Sequence, residues 1–76
     1  MQVNCSHQLL RIALREQVQV FTVSGHIVTG TLTQYDEFVN MSLSDVTLVD
    51  PAGHAESAPL LFIRGDSIKY FTKLEP

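Results

Sequence analysis

Tryptophan is absent, cysteine occurs once, and lysine and arginine together number five in a chain of 76 residues. A single cysteine, Cys5, cannot close an internal disulfide, so no covalent framework of the secreted kind holds the fold. Five basic residues against eight acidic ones leave a net charge of −3. That balance excludes gripping a nucleic acid through a blanket of phosphate contacts, and any such role must be local. No apolar run approaches the roughly 18 residues of a membrane span, and the densest, Pro59 to Ile63, is far shorter. Met1 to Gln8 lacks a basic segment followed by an apolar one, so no secretory leader is expected and residence inside the cell is the expectation.

The length allows one domain, residues 1–76, and a chain this small without disulfides ordinarily needs a metal or self-association for stability. A metal is not expected. Cys5 and His7 are two apart, but no second pair follows at ligand spacing, and His26 and His54 fall in separate turns. No serine, histidine and aspartate order and no glycine-rich phosphate loop is present, so neither an enzyme nor a cofactor is expected. Association remains.

What the chain does have is periodicity. From Ser6 to Arg15, Leu10, Ala13 and Leu14 share one helical face, widened by Leu9 and Ile12, which predicts a short helix over about 6–15 with Ser6, or alternatively Asn4, as its cap. From Gln17 the period becomes two, through Val18 and Val20 to a hairpin at Ser24-Gly25. His26 to Tyr35 is a second strand with Val28, Gly30 and Leu32 inward, and Gly30 marks a bend. Phe38 to Asp50 is a third, with Val39, Met41 and Leu43 on one face and Phe38, Asn40 and Ser42 on the other. A surface loop is expected over about 51–58. Two last strands flank Arg64-Gly65-Asp66-Ser67. A helix followed by five bent antiparallel strands points to a small open barrel, because a flat sheet under one helix would leave an apolar face wet. Its terminal strands are edges that need pairing.

The stretch from Val18 to Val46, with Gly25, Gly30, Asp36, Asn40 and Asp45 among alternating apolar residues, resembles the first motif of the Sm/LSm proteins. Leu61-Phe62-Ile63-Arg64-Gly65-Asp66-Ser67-Ile68-Lys69-Tyr70, within about 61–71, resembles the second. The resemblance covers nearly the whole chain and implies the Sm fold: a mainly β protein, an N-terminal helix and a strongly bent five-stranded antiparallel open barrel. It also implies a ring in which the fourth strand of one subunit pairs with the fifth of the next. Ile63-Arg64-Gly65-Asp66 replaces the Tyr-Lys-His signature of the hexameric bacterial branch, which favours the heptameric eukaryotic and archaeal branch. Ile68-Lys69-Tyr70-Phe71 is similar to the D-type Sm proteins and their Sm-like counterparts.

The resemblance implies a partner, uridine-rich single-stranded RNA in the central pore, and a base site formed by Asp36, Phe38 and Asn40 with Arg64, Gly65 and Asp66. Phe38 and Arg64 offer two flat faces between which a base can stack, and Asn40 has the donor and acceptor that a uracil edge requires. Asp36 would hold Asn40, Asp66 would bond Arg64 or backbone, and Gly65 would permit a tight turn. Phe38 departs from the histidine or tyrosine common in the family. Thr22 departs from a larger apolar residue. Leu60, Phe62 and Phe71 are the expected subunit contacts, with identical copies or paralogues as neighbours. The implied roles are small-RNA ribonucleoprotein assembly, pre-mRNA splicing or messenger-RNA decay, in the nucleus or the cytoplasm. A scaffold that keeps the barrel for protein contacts and binds RNA weakly or not at all is the alternative.

Overall fold

The structure, a computed structural model, describes residues 3–74, with side chains from Gln8 onward. A helix, α1 (Val3–Ala13), precedes five strands: β1 (Gln17–Thr22), β2 (Ile27–Tyr35), β3 (Met41–Val49), β4 (Ala55–Ile63) and β5 (Ile68–Lys73). A 3-10 turn, Gly65–Ser67, joins the last two. The strands form one antiparallel sheet in the order β4-β3-β2-β1-β5. Strands β4 and β5 are consecutive in the chain but lie at opposite ends of the sheet, so the barrel is open between them. The expected architecture is the observed one.

The helix begins earlier than the expected 6–15 and stops at Ala13, which places both Ser6 and Asn4 inside it rather than at its cap. Its end is set by the sheet. Arg15 takes a left-handed φ of 69°, and its N–H donates to the Leu32 carbonyl at 2.7 Å, recruiting the backbone to β2 before another turn can form. Leu10 and Ala13 are fully buried and close one side of the core, whereas Ile12 and Leu14 remain exposed. The side chains of Cys5 and His7 lie outside the described residues.

Alternation builds the rest of the core. Val18 and Val20 of β1, Val28 and Leu32 of β2, Met41, Leu43 and Val46 of β3, and Ile63 of β4 all point inward. Gly30 lies between Val28 and Leu32 where β3 crosses closely: a Cβ there would sit 2.9 Å from the Ser44 carbonyl oxygen and 3.2 Å from a Val46 methyl. The β2–β3 register shifts at that point, as the mid-strand glycine predicts. On β3, Asp45 has a φ of 52°. It stands across from Pro59, between the pairs Ser44 with Leu60 and Val46 with Ala58. After this kink Val46 turns inward out of simple alternation.

Two expected boundaries are corrected. Strand β3 starts at Met41, not Phe38, because residues 36–40 close a turn of their own. The expected loop over 51–58 is only a turn, since Ala55, Glu56, Ser57 and Ala58 already pair with Val49, Leu48, Thr47 and Val46. Polarity was misleading there: an edge strand can be solvated on its outer side and still be held by its ladder. Both edges carry apolar groups. Leu60 and Phe62 on β4 are 65% and 61% exposed, and Tyr70 on β5 is exposed and stacks on Phe21 with ring centroids 4.5 Å apart. Phe71 is half-buried against the core.

Candidate nucleic-acid interface

The turn between β2 and β3 is organised by one carboxylate. Asp36 Oδ1 accepts the backbone N–H groups of Phe38 at 2.8 Å and Asn40 at 3.1 Å, and Oδ2 accepts the Asn40 side-chain amide at 3.0 Å. The backbone closes around it, with Val39 N–H to the Asp36 carbonyl and Asp36 N–H to the Asn40 carbonyl, both at 3.1 Å. The Asn40 side-chain amide, together with the backbone N–H groups of Phe38 and Asn40, holds the Asp36 carboxyl below the usual carboxylate range against an opposing desolvation. The arrangement forces Val39 to a φ of 66°, an uncommon conformation for a β-branched residue. Asp50 builds the same turn between β3 and β4, accepting Ala52 and His54 N–H at 2.9 Å each. There the left-handed position is Gly53.

Asn40 then ties this turn to the one after β4. Its Oδ1 accepts the Gly65 N–H at 2.6 Å across 25 residues of sequence. The approach requires a glycine: a Cβ on Gly65 would collide with the Phe38 carbonyl oxygen and lie 3.1 Å from the carbonyl carbons of Phe38 and Val39. Beside it, Arg64 donates from its guanidinium to Asp66 Oδ2 at 2.9 Å, both side chains being well exposed. Ser67 closes the turn with its hydroxyl on the Arg64 carbonyl.

The result is one cleft lined by Phe38, Asn40, Arg64, Gly65 and Asp66. Asp36 stands behind it as the anchor of Asn40 rather than as a wall. All six residues expected to form a base site are thus brought together. The expectation that Phe38 and Asn40 share a strand face is corrected, since both belong to the turn, and it is the Asp36 carboxylate that aims them. Phe38 is 70% exposed and packs on nothing that would make it a core residue. Asn40 has spent one N–H and one oxygen lone pair, which leaves one of each for a ligand edge. Arg64 contributes one positive charge, set against Asp36 and Asp66, so the cleft suits a neutral, planar, hydrogen-bonding ring better than a phosphate. Among the described residues no group of three or more His, Cys, Asp or Glu is placed to hold a metal ion.

The family model for the LSM domain matches residues 8–73. The chain belongs to the Sm/LSm family. It is 34% identical over 61 residues to a probable U6 snRNA-associated Sm-like protein of Encephalitozoon cuniculi, covering 80% of each chain. It is 33% identical over 64 residues to the probable U6 snRNA-associated Sm-like protein LSm2 of the same organism, covering 84% of this chain and 68% of that one. Among solved structures, the Sm protein of Pyrococcus abyssii in complex with a uridine heptamer superposes with a TM-score of 0.83 at 22% identity, over 90% of this chain and 96% of that one. A heptameric archaeal Sm protein superposes with a TM-score of 0.79 at 23% identity, over 87% and 96%. Sm/LSm proteins are not enzymes. Among the described residues no helix is long and apolar enough to cross a membrane.

Sequence reasoning missed two things at the site. The strain at Val39 has no signal in the residue type. A second concavity beside the first, lined by Gln34, Tyr35, Asp36, Asn40, Met41, Ser42 and Phe62, was visible only as polar residues on the outer face of β2 and β3.

Proposed function

We propose that this Sm-like chain is one subunit of a heptameric ring that holds uridine-rich single-stranded RNA at its central pore, one base between Phe38 and Arg64 of each subunit. The observation that carries this is the Asn40 side chain, whose bonds to Asp36 and Gly65 fix two turns from distant parts of the chain around one cleft. Its remaining N–H and lone pair complement a uracil carbonyl and the uracil N3–H. The neighbouring proteins solved as a heptamer and with a uridine heptamer support the reading. The open edges β4 and β5, with Leu60, Phe62 and Phe71, are the surfaces that would join one subunit to the next, by strand addition. Assembly of small-RNA ribonucleoproteins, pre-mRNA splicing or messenger-RNA decay are the processes in which such a ring would act. The relatives' U6 snRNA-associated names favour the nucleus.

The test is oligouridine affinity of the assembled protein. Phe38→Ala and Arg64→Ala each remove one stacking face while taking nothing from the core, since both side chains are at least 70% exposed. Each is expected to weaken binding about 5- to 150-fold, the range for losing one base stack, with the native mass of the ring unchanged. Salt dependence is expected to be shallow because the cleft has one cation already engaged by Asp66. The scaffold reading is favoured by the net charge of −3; wild-type affinity in both variants would overturn this base site, and no oligouridine binding by an intact ring would establish the scaffold instead.

A further inference from the structure

We propose that the chain docks an arginine side chain of a partner protein in a pocket lined by His26, Leu48, Asp50, His54 and Glu56. The pocket lies where β2 and β4 begin and β3 ends, whereas the base cleft gathers at the opposite ends of the same strands. Strand register builds it. Leu48 pairs with Val28 on one side and with Glu56 on the other, and Val28 is buried while Leu48 packs against the core. Glu56 therefore stands on the core face of the sheet, at the mouth of the barrel rather than along the edge that would join subunits. Two turns complete the rim. The β1–β2 turn approaches the β3–β4 turn so closely that a Cβ on Gly25 would lie 3.2 Å from the Pro51 ring, and His26 and His54 share the pocket.

The side chains are tethered before any ligand arrives. His26 Nδ1 lies 2.9 Å from the Ser24 hydroxyl, and His54 Nδ1 lies 3.4 Å from Asp50 Oδ2. Asp50 Oδ1 accepts the N–H groups of Ala52 and His54. The His54 N–H above all keeps this carboxyl below the usual carboxylate range against an opposing desolvation, so it is an anion at neutral pH. Among the described residues neither imidazole Nε2 and neither Glu56 carboxylate oxygen has a hydrogen-bond partner. The lining selects a flat cation. Two carboxylates and no lysine or arginine border the space, so a phosphate is disfavoured. The imidazole faces stack a planar guanidinium, the carboxylates accept its N–H groups, and Leu48 receives the methylene stem. A lysine brings a point charge without the plane. The volume of about 120 Å3 is the share of about four waters and admits a guanidinium head group. A net charge of −3 draws a basic segment toward the chain.

The experiment titrates the terminally capped tripeptide Gly-Arg-Gly into the assembled protein while the imidazole C–H signals of His26 and His54 are followed by NMR. The same peptide with citrulline, which keeps the shape and removes the charge, and with lysine are the comparisons. The arginine peptide is expected to shift both histidines to saturation, the lysine peptide to bind more weakly, and the citrulline peptide to leave both signals in place. No response to the arginine peptide, or an equal response to citrulline, overturns the proposal. A lysine response equal to that of arginine overturns the choice of a guanidinium. As a separate readout, Glu56→Gln keeps the shape of the rim and is expected to weaken the arginine peptide about two- to fivefold, the upper part of the range for one exposed ion pair. Oligouridine affinity is expected to stay at the wild-type level in that variant, because the base cleft lies at the other ends of the strands. Unchanged arginine affinity in Glu56→Gln overturns the pocket and leaves the base site standing.

Discussion

Replacing Gly65 with alanine tests the joint on which the cleft depends. The added methyl would meet the Phe38 carbonyl oxygen well inside contact distance, with two further carbonyl carbons at 3.1 Å. These atoms are backbone, so no side chain can swing aside. Either the 36–40 turn moves or the 3-10 turn does, and the 2.6 Å bond from Gly65 N–H to Asn40 Oδ1 breaks in both cases. Losing that bond costs about 1 kcal/mol, and crowding of this kind adds about 1–3 kcal/mol. For a domain of this size the combined loss lowers Tm by about 10–30 °C. Circular dichroism melts give the stability, and oligouridine titration below the melting range gives the site. Affinity is expected to fall with stability, since Arg64 loses its fixed distance from Phe38. A Gly65→Ala protein melting within about 2 °C of wild type with full affinity would refute the argument that this contact sets the cleft.

Asp36→Asn is expected to weaken oligouridine binding although it preserves shape: whichever way the two amides flip, an N–H faces another N–H at Asn40, at Gly65 or at the backbone of the turn. Unchanged affinity in that variant counts against the hydrogen-bond chain. Acid has a defined direction. Asp36 titrates lower in the folded protein than in the unfolded chain, so its contribution is complete above the ordinary carboxylate range and is lost as pH falls through the lowered value. Binding is therefore expected to be flat from about pH 7 to pH 5 and to decline only in stronger acid, and a decline already complete by pH 5 contradicts the assignment. Leu43→Ala, at a fully buried position in the centre of the barrel, is expected to cost about 2–5 kcal/mol. That is a large share of the stability of so small a domain, and the urea midpoint reads it.

The barrel was legible because its strands obey alternation: Val18, Val20, Val28, Leu32 and Leu43 fall inward as the period of two requires. The bend was legible at Gly30, where the absent side chain has a local signature. Legibility failed where one backbone answers to another part of the chain. The end of α1 is fixed by Leu32, which is remote in sequence, and the start of β3 by a carboxylate that captures two N–H groups. Composition alone hid the N-terminal half of β4, whose polar residues look like a loop and pair as a strand. At the cleft the six residues were found from motif resemblance. Their division of labour, with Asp36 behind Asn40 and Asn40 reaching to Gly65, required coordinates.

Pro59 stands in the middle of β4, an open edge carrying Leu60 and Phe62. A proline is accommodated in a sheet where its nitrogen faces the unpaired side, and it offers no donor there. An incoming strand therefore meets an interrupted row of donors and can run a continuous ladder only along the four residues on one side of the proline or the other. Two β4 edges that meet by chance cannot zip along their whole length, which protects the unassembled chain from fibrous aggregation. In the proposed ring the same strand would also receive the neighbouring subunit, so the safeguard and the joining edge would occupy one segment.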